Sequence, residues 1–239
     1  MRGTTLQSYF FVGAIALVAL ALPTAPARAQ WSGSVALLTD YVYRGVSQTL
    51  EEPALQGELR WTHQESGFYL AAWGSNVDFV PSGGLDDDAD LEIDWLLGIN
   101  RTIGENTSWS AGLTYYTYPG TADHVDYDFL ELNLALGYRW FTFGINVSDD
   151  VIASDETGID YVVSGSFPLA DKLTVGATIA HWDLDDALGD SYTRWEARLA
   201  YDFGGAVLAV SYHDTDSSGE DLFGDNATER VVVGLSRAF

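Results

Sequence analysis

The chain has 239 residues, no cysteine, and 35 acidic against 11 basic residues, a formal net charge of −24. That charge repels a phosphate backbone, so nucleic acid is excluded as a partner, and the lack of cysteine excludes a disulfide framework, a thiolate metal or redox centre and a lipidated N-terminal cysteine. Its single lysine, Lys172, is too few for the mixed-charge surface of an acidic soluble domain.

Residues 1–29 read as a cleaved secretory leader, with a cationic Arg2, an apolar stretch from Tyr9 to Leu22, Pro23, and the small-residue site Ala27-Arg28-Ala29. The apolar stretch is shorter than the ~20 residues a spanning helix needs. Cleavage after Ala29 leaves residues 30–239, a length that suits one all-β domain. No later segment is continuously apolar, so any membrane crossing must be made by strands.

After Gln30 a pattern of alternating apolar positions recurs in about twelve runs, the signature of a membrane barrel. They lie near residues 34–45, 54–63, 68–79, 90–103, 108–118, 127–138, 141–149, 158–167, 173–182, 192–203, 206–214 and 228–239, and helical periodicity is absent. In the run from Tyr192, one face carries Trp195, Ala197, Leu199, Tyr201 and Phe203, and the other Arg194, Glu196, Arg198, Ala200 and Asp202. Elsewhere the second face is small and polar: Glu131, Asn133, Ala135 and Gly137, or Thr142, Gly144, Asn146 and Ser148. Lipid outside and a polar lumen inside account for both faces.

The connections alternate in length. Short ones fall at 64–67, 104–107, 139–140, 168–172 and 204–205, long ones at 46–53, 80–89, 119–126, 151–157, 183–191 and 215–227. Aromatics gather at the short-turn side, among them Trp31, Trp61, Trp109, Trp140, Phe141 and Phe203, as an interfacial girdle requires. These features predict a closed antiparallel transmembrane β-barrel with short periplasmic turns and long external loops, set in the outer membrane of a Gram-negative bacterium against lipid and lipopolysaccharide. In the last strand Val231, Val233, Leu235 and Phe239 share a face, interrupted by Arg237. This resembles the C-terminal signal read by the outer-membrane assembly machinery, a second expected partner.

The blocks DYVYRGVSQT (Asp40 to Thr49), PALQG (Pro53 to Gly57), SGFYLAAWGSNVDF (Ser66 to Phe79), LEIDW (Leu91 to Trp95) and YYTYPG (Tyr115 to Gly120) resemble the TorF-type porin family of proteobacteria. The resemblance runs from near Trp31 to Phe239. It implies an outer-membrane barrel with a channel role and brings no substrate and no site residues. Within the first block, Gly45 suits a tight or positive-φ turn. Arg44 shares a face with Asp40, which it can neutralise; on a functional reading, Arg44, Gln48 and Asn76 line an external vestibule.

The residues expected to line the pore are Arg44, Arg60, Arg194, Arg198, Arg230 and His213, with Asp40, Glu58, Glu92, Asp94, Glu131, Asp160, Glu196 and Asp202. Acids outnumber arginines by eight to five on this face. An acidic lumen behind acidic loops concentrates cations, so a porin-like channel for small hydrophilic solutes, modestly preferring cations, is the expected function. Arg194, Glu196 and Arg198 are expected to form part of its constriction.

The rival class is a non-conducting barrel serving as hydrolase, adhesin or structural element. Of His63, His124, His181 and His213, the last shares a face with Ser211. A tight turn at Gly204-Gly205 would set Glu196 opposite His213 and Arg198 opposite Ser211. No nucleophile motif of the GxSxG type is present, so no catalytic residue is assigned and the chain is read as a non-enzyme. The acid runs Asp86-Asp87-Asp88 with Asp90, Asp183-Asp185-Asp186, and Asp214-Asp216 with Glu220 and Asp221 lack the spacing of a calcium loop. They read as solvated loops, with no metal or other cofactor expected.

Overall fold

The computed structural model describes residues 30–79, 89–122 and 126–239; the expected leader, Asp86-Asp87-Asp88 and His124 lie outside them. The strands are β1 (Gln30–Leu38), β2 (Val42–Tyr43), β3 (Val46–Ser47), β4 (Ala54–His63), β5 (Phe68–Asn76), β6 (Leu91–Ile103), β7 (Thr107–Thr117), β8 (Phe129–Tyr138), β9 (Phe141–Ser148), β10 (Gly158–Ala170), β11 (Leu173–Asp183), β12 (Tyr192–Asp202), β13 (Val207–Thr215) and β14 (Arg230–Ala238). Twelve of them form a closed antiparallel barrel in which each pairs with its sequence neighbours and β14 returns to β1, while β2 and β3 make a separate hairpin. Closure leaves no free sheet edge, the condition for strands to sit in hydrocarbon. At the seam, Gly33 and Phe239 exchange two backbone hydrogen bonds of 2.9 Å, so both ends of the barrel chain meet at the short-turn rim.

The period of two decides which side meets lipid. Outward positions carry exposed apolar residues on every barrel strand, such as Leu37 at 56% and Phe143 at 51%. A continuous apolar belt of this kind far exceeds the patches that soluble monomers expose. At the short-turn end Trp31 stands opposite Trp61, Trp61 meets Phe68 edge-on, and Phe167 packs against Trp140 and Phe141. The protein is a transmembrane β-barrel with short turns at one end and long connections at the other. Among the described residues no helix is long and apolar enough to cross a membrane.

Three expectations are corrected. The first strand does not run to Gly45: it stops at Leu38, Thr39 still bonds Val233 of β14, and residues 40–50 turn into the lumen. Alternation continues through Tyr43, so periodicity alone cannot detect the reversal. The turn expected at Pro168 lies further on, because β10 continues to Ala170 through a register shift between Pro168 and Ala170; a bulge accommodates a residue that lacks an N–H donor. Helix is also present, as α1 (Asp185–Leu188) and α2 (Ser217–Phe223) in the long connections. Both are too short to leave a periodic signal.

Candidate functional site

The β2–β3 hairpin occupies the lumen at the long-loop end. Its two-residue turn is Arg44-Gly45, with φ of 51° and 87°, the pair of positive values that a type I′ hairpin demands. Gly45 is required twice over, since a Cβ there would come within 2.8 Å of Thr215 Cγ2. Arg44 pays for its left-handed backbone with buried contacts. Its guanidinium forms an ion pair with Glu131, lies 3.5 Å from Asp160 and stacks 4.4 Å from the Trp182 ring centroid. Tyr192 donates a 2.7 Å hydrogen bond to the Arg44 carbonyl.

Both acids are themselves held by the barrel wall. Glu131, 0% exposed, accepts from Ser148 at 2.7 Å, Asn133 at 2.7 Å and Tyr116 at 3.2 Å. Asp160, also 0% exposed, takes a bidentate Arg194 at 2.7 and 2.9 Å and a 3.1 Å bond from Asn146. Burial opposes the Arg44 charge, but Glu131, Tyr43 and Asp160 outweigh it and hold the guanidinium well above its ordinary range. The hairpin is thus fastened by five strands, β8 to β12 in all but one case contributing a polar side chain: β8, β9, β10 and β12, with β7 adding Tyr116.

A second set fixes the hairpin base. Asp40 accepts from Ser47 at 2.7 Å and Thr49 at 3.0 Å and pairs with Arg230 at 3.2 Å. Arg44 therefore does not neutralise Asp40, as the shared face suggested; Arg230 does, from the last strand. Gln48 bonds back to the Val46 carbonyl, and Asn76 holds Pro53 and Leu55. Those two side chains brace the loop. Over the hairpin, Val46, Val151, Trp182, Leu184, Tyr192 and Ala227 form a small apolar core joined by Leu222 and Phe223 of α2 and its neighbourhood. The acid runs serve local structure here: Asp183 and Asp185 accept from Ser191, and Asp216 caps α2 through Gly219.

Accessibility changes along the inward faces. On β10, Asp160 and Val162 are buried while Ser164 is half-buried and Ser166 exposed; on β12, Tyr192 and Arg194 are buried while Glu196, Arg198, Ala200 and Asp202 are half-buried. On β11 the order is the same, from buried Trp182 and Ala180 to half-buried Thr178, Gly176 and Thr174. On β10 to β12 the inward face is therefore buried beneath the long loops and accessible toward the short turns, whereas Thr142 of β9, Arg60 of β4 and Ala71 of β5 are buried near the short-turn end.

The expected pore-lining residues differ in exposure. Asp40, Arg44, Arg60, Glu92, Asp94, Glu131, Asp160, Arg194 and Arg230 are buried, whereas Glu58, Glu196, Arg198, Asp202 and His213 are half-buried. Arg60 pairs with Glu58 at 3.0 Å and stacks on Tyr69. Arg194, expected beside Glu196 and Arg198 in one constriction, instead belongs to the Asp160 cluster. Tyr116, Asn133, Asn146, Ser148 and Tyr192 complete the hairpin's anchorage. Their inward orientation is legible from alternation, but their common partner is not.

Glu196 stands opposite His213 and Arg198 opposite Ser211, as the tight-turn register predicts. Ser211 Oγ lies 2.8 Å from His213 Nε2. Among the described residues, no group of three or more His, Asp or Glu side chains is placed to hold a metal ion.

No curated protein matches the sequence. Among solved structures, the NanC porin is similar at a TM-score of 0.52 and 8% identity, over 88% of this chain and 99% of the porin. A chain solved in work on in-meso crystallization of membrane proteins is similar at 0.51 and 9% identity, over 87% of this chain and 83% of the other. At such identities the likeness is one of fold. A family model matches residues 22–239, and the chain belongs to that family, Gcw_chp, described as a bacterial protein of unknown function.

Proposed function

We propose that the protein is an outer-membrane channel for small hydrophilic solutes, modestly cation-preferring, with the β2–β3 hairpin as its constriction. The observation that carries this reading is the gradient along the inward face of β10 to β12: polar, accessible positions give way to buried ones where the hairpin is held by charged side chains. Porin-like neighbours support the architecture, and the TorF-type resemblance agrees with the channel role. The outward apolar belt meets lipid, the acidic long loops face lipopolysaccharide, and the strand ending in Phe239 engages the assembly machinery.

Most lumen charges are already paired, and the pairing sharpens the electrostatic expectation. Arg44 and Arg194 are taken up by Glu131 and Asp160, Arg230 by Asp40, and Arg60 by Glu58. Of the half-buried groups, Glu196 and Asp202 are then set against Arg198, leaving an acidic surplus in the vestibule. Purified barrel in a planar bilayer under a salt gradient should give a cation-selective reversal potential. Glu196→Gln should reduce that preference measurably, and the preference should fade as the Debye length falls below about 10 Å. An anion-selective potential would overturn the electrostatic reading, and no conductance would overturn the channel itself.

Removing Phe239 tests the assembly role. Its exposed ring ends the chain beside Gly33, so the truncated protein should reach the outer membrane at strongly reduced levels yet still form strands when refolded in detergent. Wild-type membrane levels would refute the role.

The 2.8 Å contact of Ser211 with His213 favours one second reading, hydrolysis within the lumen. A nucleophilic serine needs its base in hydrogen-bond reach and a third group orienting that base; Glu196 is across the strand. A fluorophosphonate probe decides it: the channel reading expects no Ser211 adduct, and stoichiometric labelling lost in His213→Ala would establish the hydrolase.

A further inference from the structure

Outside the hairpin's ion pairs, the lumen holds two acids of a different kind. Glu92 and Asp94 lie on the inward face of β6 and are 2% and 8% exposed. Neither forms an ion pair among the described residues. They stand two residues apart on the same inward face of one strand, and Glu92 Oε2 and Asp94 Oδ1 have no hydrogen-bond partner. Two carboxylates so placed repel each other strongly once water is excluded.

A second, neutral group in the same layer is also unsatisfied. Gln56 of β4 is 3% exposed, and both its amide oxygen and its amide nitrogen lack partners. The register sets Gln56 beside Ser75 and Ser75 beside Glu92, with Asp94 one inward position further along beside Trp73, so the amide and the acids line neighbouring positions of the inner wall. Tyr118 donates to Glu92 at 3.4 Å. The Tyr41 ring, from the hairpin loop, packs edge-on against Trp73 of β5 at 5.5 Å, in a cluster that also takes in Tyr118. Unsatisfied buried polar atoms on two strands, all on side chains able to offer oxygen, form a donor set that a hard cation would satisfy.

We propose that Glu92 and Asp94, with the Gln56 amide oxygen and the phenol oxygens of Tyr41 and Tyr118 completing an all-oxygen set, bind one hard divalent cation, Ca²⁺ by preference. Hard oxygen donors select Ca²⁺ or Mg²⁺ over softer transition metals. A set mixing side chains from two strands and a loop suits the irregular coordination that Ca²⁺ accepts and Mg²⁺ resists. With only two carboxylates the affinity falls at the weak end of protein calcium sites, with Kd on the order of 10⁻⁴–10⁻³ M. Because Tyr41 belongs to the loop that carries the hairpin, the bound ion ties the loop to β6, two strands from the β8 that holds Arg44. The site stands whether or not the barrel conducts.

The test uses the folded full barrel in detergent with Tb³⁺ as a luminescent probe, excited through the neighbouring tyrosines and Trp73, and with Ca²⁺ as competitor. Saturable emission displaced by Ca²⁺ is expected, together with a Ca²⁺-dependent rise in thermal midpoint. The double variant Glu92→Gln/Asp94→Asn should lose at least tenfold of the saturable emission, whereas Glu220→Gln/Asp221→Asn in the acidic loop should keep it. If the first double variant does not fold, as judged by unboiled electrophoretic mobility, Gln56→Leu, which leaves both acids in place, should weaken Ca²⁺ several-fold. A thermal midpoint indifferent to Ca²⁺ would mean that the acids share only a proton and would overturn the site. Emission that survives Glu92→Gln/Asp94→Asn, or Ca²⁺ affinity untouched by Gln56→Leu, would overturn it equally.

Discussion

A barrel in which residues 41–48 are replaced by a short glycine-serine link should conduct several-fold more current per channel than the parent in planar bilayers. The replaced segment contains the whole β2–β3 hairpin, and the inward face of β10 to β12 is buried at the level it occupies and accessible below it. Its loss removes Tyr41, Tyr43 and Val46 from the cross-section, together with the Arg44 guanidinium. The external apolar core loses Val46 as its floor, so the overlying loops lose their seat as well. Selectivity should move with conductance. Arg194 stays on Asp160, but Glu131 loses its cation and faces water, so the cation preference should increase. The barrel itself is closed by strand pairing that does not involve the hairpin, and the variant should therefore still fold. Unchanged single-channel conductance would mean that the hairpin is not the constriction.

Arg44→Met should be the most destabilising single substitution in the lumen, at about 3–5 kcal/mol, the usual cost of removing one partner of a buried ion pair. The loss falls on Glu131, because Asp160 keeps its bidentate Arg194. Glu131 retains three neutral donors, Tyr116, Asn133 and Ser148, which stabilise a carboxylate less than a guanidinium does. Arg44 also occupies a left-handed conformation that is unfavourable for a residue with a Cβ, and without its ion pairs nothing offsets that strain. Urea unfolding of the barrel in detergent, followed by tryptophan fluorescence, should show the shift. Arg44→Met/Glu131→Gln should recover most of it by removing the stranded charge. Arg44→Lys should recover little, since a single ammonium cannot address both acids and stack on Trp182 as the planar guanidinium does. A double variant no more stable than Arg44→Met would show that the coupling is not through Glu131.

These two experiments concern the region where sequence reading and tertiary structure part. Outside it the register of one hairpin was readable to the residue: the Gly204-Gly205 turn sets Glu196 against His213, and the folded chain has that pairing. The inward orientation of Glu131, Asp160 and Arg194 was equally readable, because each sits on the polar side of a period-two run. Which charge meets which was not. Arg44 to Glu131 spans 87 residues and Arg230 to Asp40 spans 190, and alternation carries no information about contacts across a lumen.

Alternation with apolar outward faces, alternating short and long connections and aromatics at the short-turn end were sufficient for the sequence alone to determine a closed twelve-strand transmembrane barrel, since each strand's preference is local and lipid enforces it on every strand alike. Only the tertiary structure decided that residues 40–50 leave the wall. An Arg-Gly turn with two positive φ values can end a strand at the rim or reverse a hairpin inside the lumen. The choice rests on whether buried acids on distant strands are there to receive the arginine. Glu131 and Asp160 are brought to that point by barrel closure, and no pattern within the Asp40 to Thr49 block encodes their presence.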